Sequence, residues 1–503
     1  MQKIKKLLFF LTSEDRKYAA FLMIMILIGA ILDMIGVASI LPFIAVLTDP
    51  EIIDKNLILN FFFQKSKLFG IESNQEFTFV LGIIVFLLLL ISLFFKAITL
   101  FVQVNFIQLR EYTIGKRILE GYLHQPYAWF LNNHSADLGK TILSEVSAII
   151  GYGIRPLIEL FAKCMIAIAL ITLLILSDPR LALLIGFTLG GAYGIIFYLI
   201  RSYLEKLGKQ RLKNNELRFV SINNAFGAIK EIKVGGIEKT FIKIFSDSAK
   251  IYSRTQASSQ ILSQLPRFFL EAIAFGGILL IILFLMMQKG DFTNALPIIS
   301  LYVFAGYRLM PALQQIFSSL TLLAFVGPSL DKIYDDFKNL KKTSVKNYEQ
   351  TIELKKYINL KNVYFNYPNS SKSALKDINI NIPAISSVGL IGATGSGKTT
   401  VVDVILGLLE PQKGTLEVDK TIITSNNLRS WQSSIGYVPQ NIYLSDDTIA
   451  ANIAFGVDPK NIDQQAVEKA SKIANLHEFI IDELPNKYET KIGERGIRLS
   501  GGQ

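Results

Sequence analysis

The sequence predicts a multidomain protein in which an all-α domain with six membrane-spanning helices is followed by an α/β domain. The 503 residues are 51% hydrophobic and only 18% charged, with a mean hydropathy of +0.39, which is unusual for a soluble protein. Towards the C-terminus, an alternating strand pattern and a glycine-rich turn before a helical pattern indicate an α/β fold. We therefore assign residues 1–329 to the membrane domain, 330–356 to a linker and 357–503 to the α/β domain.

Six apolar stretches are long enough to cross a bilayer, which takes about 20 helical residues. They lie at residues 18–47, 77–106, 154–176, 181–200, 266–287 and 295–325. Two connecting segments, residues 107–153 and 201–265, are long and polar, so we expect their helices to continue about 35 Å beyond the membrane. Their turns, near residues 127–132 and 224–234, either contact the α/β domain or are ordinary solvated turns.

The distribution of Lys and Arg predicts which side of the membrane each connection faces. The N-terminus holds five of these residues, residues 107–153 hold four and residues 201–265 hold twelve, whereas the opposite side holds three in residues 48–76 plus Arg180 and Lys289. The N-terminus and the α/β domain are therefore expected in the cytoplasm. The net charge of +11 fits such a membrane protein in contact with anionic lipid, and no nucleic-acid partner is predicted.

The outside connection, residues 48–76, places phenylalanines beside lysines, among them Phe61, Phe62 and Lys65. A short amphipathic helix on the membrane surface would have this composition. A simple loop packed on the helix ends would also accommodate it, so the sequence leaves both interpretations open.

A glycine-rich segment lies between an apolar run at residues 387–391, predicted to be a strand, and a helical pattern at residues 401–409. Its residues are Gly392, Ala393, Thr394, Gly395, Ser396, Gly397, Lys398, Thr399 and Thr400. Glycines at a strand-to-helix turn let backbone N–H groups and a helix N-terminus cradle phosphates. Lys398 would reach the β- and γ-phosphates, and the Thr399 hydroxyl would hold Mg²⁺. The segment predicts binding of a nucleoside triphosphate.

Further motifs surround this loop. Residues 363–368 include three aromatic side chains, among them Tyr367, and residues 435–440 end in Gln440. The last five residues of the chain are Leu499, Ser500, Gly501, Gly502 and Gln503. With these motifs in this order, all 503 residues resemble a bacterial ABC exporter half-transporter of the type I kind, in which a six-helix membrane domain is fused to an ATP-binding cassette.

The resemblance implies ATP and Mg²⁺ as ligands, with Tyr367 stacked on adenine and Gln440 contacting Mg²⁺ and the γ-phosphate. It also implies that Leu499 to Gln503 cap the nucleotide bound by a second half-transporter, in a twofold, expected homodimeric, assembly. The implied location is the bacterial inner membrane. Family members continue past this motif with a catalytic glutamate and a switch histidine. The cassette is therefore expected to be C-terminally incomplete, and the 503-residue chain is expected not to hydrolyse ATP.

Ionisable residues inside predicted spans are candidates for substrate binding, because burial in lipid is costly for them. Glu159 and Lys163, one turn apart, are expected to pair with each other. Lys96, Arg267 and Arg308 lie in apolar surroundings, where a ring of basic side chains would suit a phosphate or pyrophosphate group. Structural ion pairing is the alternative interpretation of these three.

Residues 265–271 and 307–311 resemble segments of the PglK-type lipid-linked-oligosaccharide flippases. That resemblance implies transport of a polyprenyl-pyrophosphate-linked glycan between the leaflets of the membrane. The alternatives are an exporter of lipid A, drugs or peptides on the same scaffold, and a non-hydrolysing regulator with a degenerate cassette.

Overall fold

The computed structural model describes residues 2–177, 179–287, 292–340 and 351–493, except residues 369, 371 and 441. The chain divides into two compact units, Met1–Lys346 and Asn347–Gln503. The first is helical and the second contains a β-sheet with helices, as the predicted fold class requires.

The helices of the first unit follow one another with short breaks. They are α1 (Gln2–Phe9), α2 (Ser13–Ala38), α3 (Ile40–Thr48), α4 (Ile52–Lys55), α5 (Leu57–Ser66), α6 (Asn74–Leu123), α7 (Tyr127–Phe130), α8 (Ser135–Lys140), α9 (Val146–Ile149), α10 (Arg155–Ser177), α11 (Pro179–Gly227), α12 (Ile229–Gly235), α13 (Glu238–Met287), α14 (Phe292–Phe325) and α15 (Gly327–Asn339). Two π-helical turns, Thr141–Glu145 and Ile150–Ile154, join α8, α9 and α10.

The helices α6 and α13 have 50 residues each and α11 has 49. At 1.5 Å per residue each is about 75 Å long, more than twice the thickness of the apolar layer of a bilayer. The expected continuation of helices beyond the membrane is therefore present.

Among the described residues, three helical stretches are long and apolar enough to cross a membrane: Ser13–Thr48, Asn74–Leu123 and Ser135–Leu176. A fourth is obtained if Val303–Phe325 and Gly327–Asn339, bent by 52°, count as one span. The other expected spans, residues 181–200 and 266–287, lie on α11 and α13.

One apolar core joins the N-terminal helix to the ends of the long helices. Leu7 and Phe10 of α1 pack with Ile114 and Ile118 of α6 and with Leu330 of α15, among other buried residues. The close helix crossing that completes this core is made possible by Gly208 of α11, where an added Cβ would lie 2.1 Å from the carbonyl oxygen of Phe325. A side chain at that position would force the two helices apart.

Buried charges connect the same helices. Arg211 and Glu145, each 1% exposed, form an ion pair between α11 and the first π-helical turn. Arg211 also donates to the Ser329 hydroxyl of α15 at 2.6 Å, and Asn215 donates to Glu145 at 2.7 Å. Because these hydrogen bonds and the ion pair each join two different elements, the network holds α11, the π-helical turn and α15 in one arrangement.

The connection at residues 48–76 is helical over α4 and α5 and ends in a short 3₁₀ turn. Leu59 and Phe63 face inward and pack with Val46 and Phe77. The side chains of Leu57, Ile58, Phe61, Phe62 and Leu68 are exposed. The segment is therefore helical, whereas its position on the membrane surface stays a prediction.

The segment expected to be a linker, residues 330–356, begins inside a helix, because α15 continues to Asn339. Leu330 and Ile333 of that helix are buried in the core of the first unit. Its apolar face gives it a place to pack, which a charge-rich composition alone did not reveal.

The second unit contains an antiparallel sheet with the order β2-β1-β3-β4. Its strands are β1 (Tyr357–Phe365), β2 (Leu375–Pro383), β3 (Lys413–Val418) and β4 (Thr421–Ile422), and its helices include α16 (Lys398–Ile405), α17 (Leu428–Gln432), α18 (Ile449–Ile453) and α19 (Gln464–Ile473). A bulge in β1 near Asn362 moves the inward face from Leu360 to Val363 and Phe365. The predicted alternating strand is thus confirmed, with a change of phase at the bulge.

The apolar run at residues 387–391 is not a strand in the structure, contrary to the prediction. Ile391 is 98% exposed, and Val388 is also exposed. An apolar strand of this kind is stable only between hydrogen-bonded neighbours, and none of the described strands pairs with it.

Candidate nucleotide and substrate sites

The predicted phosphate-binding loop is a tight turn that leads directly into α16. Gly395 and Gly397 have φ values of +81° and +91°, a region that glycine adopts without steric cost. Gly397 is the N-cap of α16 and no side chain caps that helix, so its first N–H groups remain available to an anion. The geometry of the loop therefore suits a phosphate group.

Small residues are required at this turn for steric reasons as well. An added Cβ at Gly397 would lie 2.8 Å from the carbonyl oxygen of Ala374, and one at Gly392 would lie 2.7 Å from the Ser396 hydroxyl. The contact at Gly397 is with backbone and comes with a positive φ, so a side chain there would force the backbone off this path, whereas the contact at Gly392 requires the Ser396 side chain to move.

Lys398 lies across the loop. Its ammonium donates to the carbonyl oxygens of Gly392 at 2.8 Å and Ala393 at 2.9 Å. Backbone carbonyls therefore hold the Lys398 ammonium within the loop. The ammonium can leave these carbonyls for a stronger acceptor such as a phosphate oxygen.

Tyr367 approaches the same helix from the end of β1. Its hydroxyl lies 3.1 Å from the Thr400 hydroxyl, and its ring packs edge-on against Phe365 with centroids 5.1 Å apart. The structure thus brings Tyr367 next to the glycine-rich loop, although the two are separated by more than twenty residues of sequence.

Thr399 and Gln440, the residues expected to contact Mg²⁺, are both exposed. No group of three or more His, Cys, Asp or Glu in the described part of the chain could hold a metal ion. The motif from Leu499 to Gln503 lies outside the described residues.

The candidate substrate residues Lys96 and Arg308 meet inside the helical unit at one carboxylate. Lys96 Nζ lies 2.7 Å from Asp33 Oδ2, and Arg308 Nη1 lies 2.6 Å from Asp33 Oδ1. The side chain of Asp33 is 2% exposed, whereas those of Lys96 and Arg308 are 31% and 23% exposed. Two partly accessible cations therefore share one hidden anion.

Glycines on α2 place Asp33 at this contact. Gly29 and Gly36 lie on the same face as Asp33, and added Cβ atoms there would lie 3.6 Å from the Phe95 ring and 3.1 Å from Leu89. Small residues at such spacing let two membrane helices approach closely. The close packing of α2 on α6 brings Asp33 within reach of Lys96.

Arg267 and the expected pair on α10 have other partners. Arg267 bonds Glu271 on its own helix at 2.5 Å and is half-exposed. Glu159 accepts a hydrogen bond from Gln315 of α14 at 2.6 Å. Glu159 is thus bound by an amide on α14, and the ion pairs within the described part of the chain do not include the expected pair of Glu159 and Lys163.

Sequence reasoning did not select Asp33 as part of the site. Asp33 is an ionisable residue in an apolar span, but its partners are 63 and 275 residues away along the chain. The only local signal was the glycine spacing on either side, which indicates a helix contact and not a charge cluster.

A phosphate-binding loop in an α/β domain, joined to long apolar helices, defines a membrane protein of the nucleotide-driven transporter class. The chain matches the family of the ABC transporter transmembrane region over residues 19–309, and that of the ABC transporter over residues 375–503. Since the first match covers more than half of the chain, the protein belongs to the ABC transporters.

Several curated relatives carry a related name. An ATP-dependent lipid A-core flippase of Cupriavidus pinatubonensis is 27% identical over 398 residues, which are 77% of this chain and 65% of that protein. A protein of the same name from Saccharophagus degradans is 43% identical over 146 residues, 29% of this chain and 24% of that protein. The chain spans less than two thirds of the length of these relatives.

The fold also has a counterpart among solved structures. A bacterial Atm1-family ABC exporter with ATP bound superposes with a TM-score of 0.74 at 17% identity, over 97% of this chain and 82% of the other. At that identity the likeness shows the shared exporter fold, with a helical membrane domain followed by an α/β cassette.

Proposed function

We propose that the protein is an ABC half-transporter that uses ATP to move a polyprenyl-pyrophosphate-linked oligosaccharide across the bacterial inner membrane. The observation that carries the proposal is the pair of cations, Lys96 and Arg308, held on one buried carboxylate inside the apolar helical unit. A cation pair that remains partly accessible there suits a phosphate or pyrophosphate head group.

The cassette supplies the energy in this proposal. The uncapped N-terminus of α16, the glycine turn and Lys398 would bind the β- and γ-phosphates of ATP, and Tyr367 would stack on its adenine. Thr399 and Gln440 would contact the accompanying Mg²⁺, which neutralises the phosphate charge. Two half-transporters would form each site, with Leu499 to Gln503 of one chain opposite the phosphate loop of its partner, as a homodimer.

The basic pair supports an anionic lipid as cargo but does not by itself distinguish among phosphate-bearing lipids. Lipid A is the second candidate, because three relatives that match 77% of this chain are named as lipid A-core flippases. Both cargoes carry phosphate groups on a lipid, so both could use Lys96 and Arg308.

A transport assay with the full-length protein in proteoliposomes separates the two cargoes. A labelled lipid-linked oligosaccharide and a labelled lipid A are supplied together, and ATP-dependent movement of each between leaflets is followed by its accessibility to a membrane-impermeant reagent. The proposal predicts preferential movement of the oligosaccharide lipid, and loss of all movement in Lys398→Ala. Preferential movement of lipid A would show that lipid A, and not the oligosaccharide lipid, is the cargo. Transport independent of Lys398 would contradict the ATP-driven mechanism.

A further inference from the structure

The cluster of Asp33, Lys96 and Arg308 contains more positive than negative charge, and its cations are more exposed than its carboxylate. One carboxylate faces two cations, and each of its oxygen atoms contacts one of them. Asp33 is hidden between α2 and α6, whereas both cations keep part of their side chains accessible. The part of the cluster that an incoming molecule can reach is therefore positively charged.

The surroundings make this charge imbalance costly. Val37, one turn after Asp33, packs with Ala305 and Leu309 of α14 in an apolar cluster, so the medium around the ion pairs screens charge weakly. A purely structural ion pair would need only one cation, and a second one leaves an uncompensated positive charge there.

We propose that Asp33 is an internal competitor for the phosphate group of the cargo and thereby sets the charge selectivity of the transporter. In the resting state the carboxylate binds Lys96 and Arg308, and a multiply charged head group such as a pyrophosphate displaces it. This inference rests on the proposed function in taking a phosphate-bearing lipid as cargo.

Such a competitor solves a problem that a membrane poses for any phosphate site. An unpaired cation pair would also bind the single phosphates of the bulk phospholipids, which are far more abundant than any cargo. A carboxylate that already binds both cations lowers the affinity of the site for every other anion. Singly charged head groups are therefore rejected, whereas a doubly charged group still binds.

The local packing fits an exchange in which the cations move and the carboxylate stays. Asp33 lies on the tightly packed face of α2 between Gly29 and Gly36, and its short side chain has little freedom there. Lys96 and Arg308 have long side chains that can turn from Asp33 to a ligand by rotation about their side-chain bonds. Asp33 is thus a positioning residue that acts through the two cations.

The test measures lipid binding by the full-length protein in nanodiscs of phosphatidylcholine, with fluorescent polyprenyl pyrophosphate, lipid A and uncharged polyprenol as probes. Asp33→Asn should lower the Kd for the anionic probes by about tenfold or more, because the competing charge is removed, and leave polyprenol unchanged. Adding phosphatidylglycerol to the nanodiscs should compete with the pyrophosphate probe in Asp33→Asn but not in the wild type. Asp33→Glu, which keeps the charge, should behave as the wild type.

Weaker or unchanged binding of the anionic probes by folded Asp33→Asn would overturn the inference, as would equal competition by phosphatidylglycerol in both proteins. If Asp33→Asn does not fold, Asp33→Asn/Lys96→Gln keeps the net charge of the cluster and frees Arg308. It should bind the anionic probes at least as tightly as the wild type, and a loss would count against Asp33 as a competitor.

The same assay separates this inference from the proposed cargo. If the wild type binds lipid A and not polyprenyl pyrophosphate, the cargo is wrong, and the effect of Asp33→Asn on lipid A binding still decides the role of Asp33. If the wild type binds neither anionic lipid, both the cargo and the competitor are contradicted.

Discussion

The hydroxyl groups of Tyr367 and Thr400 lie 3.1 Å apart, which fixes an aromatic ring at the edge of the phosphate-binding loop. Thr400 belongs to the first turn of α16 and is buried, so it offers a rigid point of attachment. Phe365 also contacts the ring, edge-on, with the ring centroids 5.1 Å apart. The ring expected to stack on adenine is therefore already beside the loop before a nucleotide binds.

Substitutions at Tyr367 should separate the ring from its hydroxyl. Tyr367→Ala should weaken ATP binding by about tenfold or more, since stacking of a base on an aromatic ring contributes about 1–3 kcal/mol. Tyr367→Phe keeps the ring and the Phe365 contact and should stay within about twofold of the wild type. Fluorescence titration with an ATP analogue measures both, and equal losses in the two variants would show that the hydroxyl, not the ring, matters.

Gly208 should be intolerant of any side chain. Gly208→Ala places a methyl group 2.1 Å from the carbonyl oxygen of Phe325 and should destabilise the helical unit by about 1–3 kcal/mol, since the backbones must separate. Gly194 on the same helix has nothing within 4 Å of an added Cβ, so Gly194→Ala is the matched control and should be neutral or slightly stabilising. Unfolding by denaturant in detergent measures both, and equal midpoints would rule out a close crossing at Gly208.

The buried ion pair should be more sensitive to loss of one partner than of both. Arg211→Met leaves the Glu145 carboxylate buried without its cation and should lower the free energy of unfolding by about 3–5 kcal/mol. Glu145→Gln/Arg211→Met removes both charges, so its free energy of unfolding should fall clearly less than that of Arg211→Met. The same unfolding assay applies, and a double variant as unstable as the single one would mean that the charge pair is not what holds these helices together.

Asp419 should stabilise the start of β1 by hydrogen bonding only while its carboxyl group is ionised. The backbone N–H groups of Tyr357, Lys355 and Lys356 donate to its carboxylate and hold its pKa below the usual 3.8. Because the pKa is lower in the folded state, the stabilisation is present at neutral pH and is lost as the pH falls through the folded-state pKa, below 3.8.

Hydrogen exchange at the Lys355, Lys356 and Tyr357 amides measures this attachment directly. Protection should be high at pH 7 in the wild type, disappear in strong acid, and be reduced at pH 7 in Asp419→Asn. The Leu416 amide in β3 serves as an internal control for global unfolding. Protection in Asp419→Asn equal to that of the wild type at pH 7 would contradict the assignment of the carboxylate as the acceptor.

Patterns that act over short stretches of sequence predicted much of the fold. The 50 residues of α6 carry a helical signal in their own sequence. In β1, apolar and polar residues alternate because one face of the strand is buried. The run at residues 387–391 has an equally good strand pattern, yet it is not a strand. Its pairing depends on hydrogen-bonded neighbours, which no local pattern can supply.

The two sites differ in the same way. Glycines, a lysine and threonines in consecutive positions predicted the phosphate loop, because one turn of backbone forms nearly the whole cradle. The charge cluster is assembled from α2, α6 and α14. Lys96 and Arg308 were selected because they are charged residues in apolar surroundings, but only tertiary packing showed that both bind Asp33.

The most direct test of the account is ATP-dependent transport of a polyprenyl-pyrophosphate lipid by full-length Lys96→Gln/Arg308→Gln, with ATP binding measured in parallel. Lys116→Gln is the matched control, because Lys116 is an exposed lysine on the same helix as Lys96. The account predicts that the double variant loses transport by more than about tenfold while ATP binding and the control are unchanged. Transport by the double variant at the wild-type rate would contradict the assignment of this cation pair as the phosphate site.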